Sequence, residues 1–253
     1  MKKLLAVTAF ILFFSFALRA QEAVKPQMNF VKFNLTSILL KNYSLQYERV
    51  LSKRISAAIS FRFMPYTTVP FKSTIIDMAE FEDQETIDMF NSAQFANYSI
   101  TPEVRFYLGK KGYGRGFYIA PYYRYAAYDT QNLNFSFETG DGMNTQTQEI
   151  ELKGNITSHT GGLMFGVQWA LGKHVSLDWW ILGAAYGVSS GVLDGIPTPA
   201  IPQEDIADVK REIEEIEIPM VEKTVTVTSN NVRVDITGPW AGIRSGIVLG
   251  IKF

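Results

Sequence analysis

Residues 117–125 read Phe-Tyr-Ile-Ala-Pro-Tyr-Tyr-Arg-Tyr, and this stretch sets the pattern for most of the chain. Its odd-numbered positions are apolar or aromatic, whereas the even-numbered positions include Tyr118, Tyr122 and Arg124. Alternation with a period of two predicts a β-strand whose two faces meet different surroundings. An apolar face opposite a face of polar or small residues is typical of strands in a membrane barrel, where lipid lies outside and polar groups lie inside.

Seven other segments share this alternation, which gives eight predicted strands. They are Met28–Ser37, Tyr43–Val50, Ile55–Met64, Tyr98–Leu108, Phe117–Tyr128, Ser158–Leu171, Val175–Val188 and Val232–Phe253. A tilted strand of roughly 9–11 residues is long enough to cross a bilayer, and all but the second segment reach that length. The sequence therefore predicts an all-β fold, an eight-stranded antiparallel up-and-down transmembrane β-barrel.

The connections between these segments are sorted by length. Short connections containing basic residues alternate with long polar ones, except that the first of the alternate set is also short. The short ones are 51–54, 109–116 and 172–174, and the alternate set comprises 38–42, 65–97, 129–157 and 189–231. Short turns at one rim and long loops at the other are typical of outer-membrane barrels, with the short turns and both termini on the periplasmic side.

Composition narrows the class of protein. The 253 residues include 24 basic and 25 acidic side chains, two histidines and no cysteine. These values exclude thiolate chemistry and disulfide frameworks, and the near-neutral charge argues against a nucleic-acid partner. Residues 1–20 predict a secretory signal peptide, which leaves 21–253 as the barrel. No later segment offers 18 consecutive apolar residues, so an exported globular protein is the alternative to an outer-membrane barrel.

The last strand ends on Ile-Val-Leu-Gly-Ile-Lys-Phe253, which resembles the C-terminal signal that barrel proteins present to their insertion machinery. Tyr43–Val50, residues 116–125 and residues 161–187 also resemble a family of unknown function. That family comprises Bacteroidota-type outer-membrane β-barrels, small and similar to OmpA or OmpX. The resemblance implies a Gram-negative outer-membrane location and the barrel fold. It carries no activity and no catalytic residue.

Charged residues recur on the polar faces of the predicted strands. They are Lys32, Glu48, Arg62, Glu103, Arg105, Arg124, Asp178 and Arg244. The interior of an eight-stranded barrel is just wide enough for its own side chains, and buried charges must be paired. The sequence thus predicts an internal salt-bridge network that plugs the lumen. A narrow channel or transport-accessory barrel is the alternative.

We expect no enzymatic activity, no cofactor and no metal, and a membrane enzyme ranks behind the channel. His159 lacks a nearby acid in the sequence, and His174 lies in a basic turn. The expected partners are outer-membrane lipid and lipopolysaccharide, with the barrel-insertion machinery during biogenesis. An extracellular ligand is left open, nucleic acid is not expected, and the protein is expected to be a monomer at the cell surface.

The long loops carry additional patterns. Residues 203–217 and 73–90 place apolar residues at helical spacing among acidic ones, which predicts short helices in extracellular loops. These helices either cap the barrel mouth or form a surface recognition platform. Hairpins at 132–137 with 146–152, and at 224–228 with 232–237, would extend the strands beyond the membrane. The second hairpin leaves a ten-strand barrel as the alternative to eight.

Overall fold

The computed structural model describes residues 27–73, 76, 87, 88, 91–139, 146–215 and 220–253. The predicted signal peptide and most of the predicted helix at 73–90 lie outside these residues, so both stay predictions. Nine strands lie within them. They are β1 (Asn29–Asn34), β2 (Tyr43–Val50), β3 (Ile55–Thr68), β4 (Gln94–Tyr107), β5 (Gly116–Thr139), β6 (Gln146–Ala170), β7 (Val175–Gly195), β8 (Glu222–Thr228) and β9 (Asn231–Lys252).

Eight of these strands form a closed antiparallel ring. Strands β1 to β7 pair in sequence order, β7 pairs with β9, and β9 returns to β1. The closure is visible at Val31, which lies opposite Tyr47 of β2 on one side and Ile251 of β9 on the other. Because the ring is closed, its backbone N–H and C=O groups find partners on both sides, as a strand crossing lipid requires.

Strand β8 lies outside this ring of eight. It pairs only with β9, along Asn231–Thr237, whereas β1 pairs with β9 further along, at Val248–Lys252. Strand β8 therefore pairs with the edge of β9 that β1 leaves free toward the far rim. The predicted hairpin at 224–228 with 232–237 is present. It lengthens the sheet without adding a ring strand, so the ten-strand alternative is wrong.

The first predicted strand is too long. Strand β1 ends at Asn34, and Thr36–Leu40 form a 3₁₀ helix. The Asn34 side chain accepts a hydrogen bond from the Ser37 backbone N–H at 3.1 Å, and the Ser37 hydroxyl donates to the Asn34 carbonyl at 2.9 Å. Local side-chain bonds of this kind compete with the strand ladder, and they end β1 here.

The two rims differ as predicted, but the three long connections at the far rim are shorter than predicted. Turns at 51–54, 108–115 and 171–174 lie at the rim that holds the first and last strand ends. At the other rim, β5 and β6 continue to Thr139 and from Gln146, so most of the predicted loop 129–157 is a hairpin. Strands likewise run into the predicted loops 65–97 and 189–231, because the period-two pattern continues there with polar residues outside.

Among the described residues one α-helix has defined bounds, α1 (Ile206–Glu215). Its Val209 and Ile213 are buried in an apolar cluster with residues of β6, β8 and β9, namely Ile150, Val225, Val232 and Val234. The Lys223 ammonium donates to the Ile213 carbonyl at 2.5 Å and so supplies a donor to the last turn of the helix. No helix in the described part of the chain is both long and apolar enough to span a bilayer.

Candidate functional site: the ionic interior of the ring

The ring strands carry apolar side chains on the outside and polar ones on the inside. Large outward side chains are exposed on every ring strand, and the central ones include Leu45, Ile59, Phe61, Ile100, Phe106, Leu163, Phe165, Trp179, Leu182, Ile247 and Leu249. The buried charged residues all lie inside, and they are Lys32, Glu48, Glu103, Arg105, Asp178 and Arg244. This distribution is the reverse of that in a water-soluble protein, in which charges stay outside.

Arg105 on β4 lies at the centre of the interior and is fully buried. Its Nε donates to Glu103 Oε1 at 2.6 Å, and its Nη1 donates to Asp178 Oδ2 at 2.6 Å and to Glu48 Oε2 at 3.1 Å. Its Nη2 donates to Gln46 Oε1 at 2.9 Å. One guanidinium thus bonds to carboxylates from β2, β4 and β7, and its planar fork suits several oxygens at once.

Lys32 on β1 is the second cation of this layer. Its ammonium forms an ion pair with Glu48 and donates to Asp178 Oδ2 at 2.8 Å and to Gln168 Oε1 at 2.6 Å. All three hydrogens of the ammonium therefore have partners, which a fully buried lysine needs. Because Lys32 and Arg105 share Glu48 and Asp178, β1, β2, β4 and β7 are joined across the ring by a single network.

A third cation extends the network toward the far rim. Arg244 on β9 forms an ion pair with Glu103 and donates to the Ser60 hydroxyl at 3.2 Å. Its guanidinium carbon lies 3.8 Å from the centre of the Trp180 ring, a cation–π contact. The three interior carboxylates are thereby matched by Lys32, Arg105 and Arg244. Removing any one of these charges would leave a buried ion without its partner.

The two remaining predicted network residues do not join it. Arg62 on β3 and Arg124 on β5 lie on the inward face, but within the described residues neither pairs with a carboxylate. Arg124 Nε donates to the Thr101 hydroxyl at 3.1 Å, and Arg62 Nε has no hydrogen-bond partner. The prediction of one network containing all eight charges is wrong at these two positions, because the carboxylates lie nearer the short-turn rim.

Neutral side chains that the sequence did not single out complete the network. Tyr107 and Ser56 donate to Glu48 Oε1 at 2.7 and 2.5 Å, and Tyr118 donates to Asp178 Oδ1 at 2.8 Å. Spacing in the sequence could have identified Tyr107 as an interior residue, since it lies two residues beyond Arg105 and so shares its face.

Glycines of β6 provide room for the interior tyrosines of β5. A Cβ on Gly166 would overlap the Tyr118 hydroxyl, and a Cβ on Gly162 would lie 2.5 Å from the Tyr122 ring. Each tyrosine therefore lies directly over a glycine of the neighbouring strand, to which the register pairs it. Stacking of an aromatic ring on a strand glycine covers the exposed backbone and fixes the strand register.

We expect Gly166→Ala to destabilise the fold by about 1–3 kcal/mol, because the added methyl group displaces Tyr118 from Asp178. The measurement is urea unfolding of the protein in phospholipid vesicles. Gly161→Ala on the same strand is the matched control, since a Cβ there meets nothing within 4 Å. Equal unfolding curves for the two variants would show that the stacking does not stabilise the fold.

Three further residues that the sequence analysis considered lie away from the ionic network. The backbone N–H and carbonyl of Phe253 bond to Asn29, both at 3.0 Å, and its side chain is exposed. His159 lies on the outer surface, where its Nδ1 is 2.6 Å from the Tyr123 hydroxyl. His174 lies in a short turn with its Nδ1 2.9 Å from Gln27 Nε2. The role of Phe253 as an insertion signal stays a prediction.

The polarity of the two faces reverses where the sheet extends beyond the ring. On β9, inward Arg244 gives way to inward Val232 and Val234, which are buried in the apolar cluster with α1. The outward positions change from Ile247 and its neighbours to Arg233 and Asp235, which form an ion pair at 2.9 Å. The ring is thus apolar outside and ionic inside, whereas its extension is polar outside and apolar inside.

Comparison with known protein families finds one whose model matches most of the chain. Residues 7–190 match the model of a family described as a protein of unknown function, DUF3575. The chain belongs to this family. A search of curated proteins finds no match. The expected membership in a family of unknown function is thereby confirmed, whereas a Bacteroidota origin stays a prediction.

The solved structures to which the chain is similar include two from outer membranes. The N-terminal β-barrel domain of Pseudomonas aeruginosa OprF is 10% identical, with 89% of this chain and 93% of that one covered and a TM-score of 0.24. A major outer membrane protein from Thermus thermophilus is 11% identical, with 84% of this chain and 98% of that one covered and a TM-score of 0.33.

Proposed function

We propose that this protein is an integral outer-membrane barrel with a sealed interior, acting as a structural or surface-interaction protein and not as an enzyme. The observation that carries the proposal is the reversal of face polarity along the strands. A membrane-spanning section needs apolar side chains outside, and a section in water needs them inside. The change of pattern on β9, between Arg244 and Asp235, therefore marks the edge of the bilayer.

The exposed apolar surface supports a lipid environment. Side chains such as Phe61, Phe165 and Ile247 have 44–49% of their area exposed, and similar residues surround the ring. Water-soluble monomers rarely expose contiguous apolar patches larger than a few hundred Å². A continuous belt on eight strands exceeds that limit, and lipid tails are the partner that covers a belt on all sides. The closed ring leaves no unpaired strand edge within it.

The filled interior favours a sealed barrel over a narrow channel. Lys32, Glu48, Arg105 and Asp178 are all fully buried or nearly so, and their bonds cross the ring in one layer. A conducting path needs water beside the ions at every level. In this layer the side chains bond to one another, which leaves little room for such a path.

The extension beyond the ring supports a surface-interaction role. Helix α1 covers the apolar cluster with Val209 and Ile213 and turns Asp208, Glu214 and Glu215 outward. The helix is therefore a packed part of the extension and presents acidic groups at a fixed position. Asp208 and Glu214 pair with Arg211 and Lys210 of the same helix, and we propose that this charged surface is what an extracellular partner would meet.

Cysteine labelling tests the location and orientation, because the natural chain has no cysteine. In intact cells we expect Glu214→Cys on α1 to react with a membrane-impermeant maleimide. Lys173→Cys in the short turn 171–174 should react only after the outer membrane is permeabilised, since that turn faces the periplasm. Labelling of Lys173→Cys in intact cells, or recovery of the protein in the soluble fraction, would reject the proposal.

A further inference from the structure

The interior of the ring contains more positive than negative charge, and two of the cations outside the network lie together in its outward half. Six cations and three carboxylates lie on the inward faces of the described ring strands, and the sixth cation, Lys252, lies beside the Phe30 ring at the short-turn rim. The carboxylates are bonded to Lys32, Arg105 and Arg244. Arg62 and Arg124 are left as two guanidinium groups without a counter-charge in the described part of the chain. Both are half-buried, and a cation held partly out of water is stabilised by a charge of the opposite sign beside it.

The register places these two arginines close together, beyond the network. Arg124 donates to Thr101, and Thr101 lies opposite Ser60, which is two residues before Arg62 on β3. The row that contains Glu48 and Glu103 crosses β3 at Ala58. Arg62 is four residues further along that strand, or about 13 Å. Arg124 faces the positive charges of Arg62 and Arg244, and a neutral side chain, Tyr128, hydrogen-bonds to Arg62.

Unused hydrogen-bond donors surround the two arginines. Arg124 lies opposite Thr160 of β6, and Ser158 is the neighbouring inward residue on that strand. The Ser158 hydroxyl is buried without a partner. The hydroxyl of Tyr122 is also buried and unpartnered, and the ring of Tyr122 lies 5.9 Å from the Arg124 guanidinium. Arg62 Nε is a third buried donor without an acceptor. Buried polar atoms normally have partners, so these three groups, with Asn97 Oδ1 at the neighbouring inward position on β4, leave unused hydrogen-bonding capacity beside the two arginines.

We infer that Arg62 and Arg124 bind a free tetrahedral oxyanion of the phosphate or sulfate class in the outward half of the interior. Such an ion has two negative charges for two guanidinium groups, and its oxygens fit the bidentate geometry of arginine. The hydroxyls of Ser158 and Tyr122 supply further donors. The site lies beyond the ionic network, so the oxyanion enters from the outward mouth and does not cross the barrel.

The ion is a free solute and not part of a lipid headgroup. Both arginines lie on the inner face of a closed ring, and the headgroups of the surrounding leaflet lie outside it. A headgroup anchored by its acyl chains would have to pass through a paired sheet to reach them. The inference adds a ligand to the proposed sealed barrel. It does not depend on the surface role of α1, and cysteine labelling does not test it.

The test is thermal unfolding of the purified protein in lipid-free detergent micelles, with inorganic phosphate or sulfate replacing chloride at constant ionic strength. We expect the melting temperature of the natural protein to rise and saturate with the oxyanion concentration, since a ligand of the folded state stabilises it. Arg62→Gln with Arg124→Gln should abolish the rise, and Arg62→Lys should weaken binding at least tenfold while keeping a response. Arg49→Gln, in which the exposed arginine beside Asn29 is replaced, should behave like the natural protein.

Melting temperatures measured in chloride alone, without phosphate or sulfate, separate binding from a structural role. Removing an uncompensated cation should leave the chloride-only melting temperature unchanged or higher in the Arg62→Gln, Arg124→Gln protein. If the double variant melts below the natural protein by the same amount with and without phosphate, the arginines only support the fold. That result would overturn the inference. An equal response of the natural protein to chloride and phosphate would overturn it as well.

Discussion

Replacing Arg105 with methionine is expected to lower the free energy of unfolding by about 3–5 kcal/mol, the usual cost of removing one partner from a buried ion pair. Arg105 bonds to Glu48, Glu103 and Asp178, and its side chain is fully buried. Without it, Lys32 and Arg244 remain as the bonded cations for three carboxylates. Urea unfolding in phospholipid vesicles, followed by the fluorescence of the four tryptophans, measures the change.

Two comparisons show whether the loss comes from the network. Arg49→Met removes an exposed arginine that bonds to Asn29 at 2.7 Å, and we expect almost no change there. Arg105→Met combined with Asp178→Asn should lose less than the two single changes together, because the double variant lacks both the cation and one carboxylate that it bonds. If Arg105→Met unfolds at the same urea concentration as Arg49→Met, the network does not stabilise the fold.

Replacing Ile59 with arginine is expected to cost about 2–4 kcal/mol, the value for a cation at the lipid-facing midplane of a barrel. Ile59 lies on the outward face of β3 between Tyr47 and Pro102 of the adjacent strands, and 49% of its side chain is exposed. In a water-soluble protein an exposed isoleucine could become arginine with almost no penalty. The size of this change therefore separates a lipid surface from a water surface.

The control for Ile59→Arg is Leu51→Arg in the turn between β2 and β3. Leu51 has 60% of its area exposed, slightly more than Ile59, but it lies at the rim. Near the bilayer interface a cation costs only about 0–1 kcal/mol. Both variants are folded into vesicles and unfolded with urea. Equal losses at the two positions would mean that the outer face of the ring does not contact lipid.

The alternation in the sequence predicted the fold class, the number of ring strands and which face points inward. The segment 117–125 is a case in point, since Tyr118, Tyr122 and Arg124 all lie inside as their parity requires. Strand ends were predicted less well. Asn34 ends β1 through its own side chain, and β5 and β6 run far past Tyr128 and Ser158. Neither a capping side chain nor a pairing strand alters the two-residue alternation in the sequence, so the alternation does not show where a strand ends.

The sequence also identified the charged interior residues, because an inward charge on an otherwise apolar strand is conspicuous. It could not sort them into partners. Which cation meets which carboxylate depends on strand stagger around the closed ring, and stagger is set by the pairing of whole strands. Gln46, Gln168 and Trp180 were overlooked for the same reason, since a neutral side chain gains its role only from the charge opposite it.

By itself, therefore, the sequence of this DUF3575 protein determined two faces for each strand, because side chains alternate with a period of two whatever the strand pairs with. Only the tertiary structure decided the level of each charge within the ring. That level separates Arg105, which bonds to three carboxylates, from Arg62 and Arg124, which bond to none in the described residues. The physical reason is distance, since an ion pair needs contact across strands that are remote in sequence.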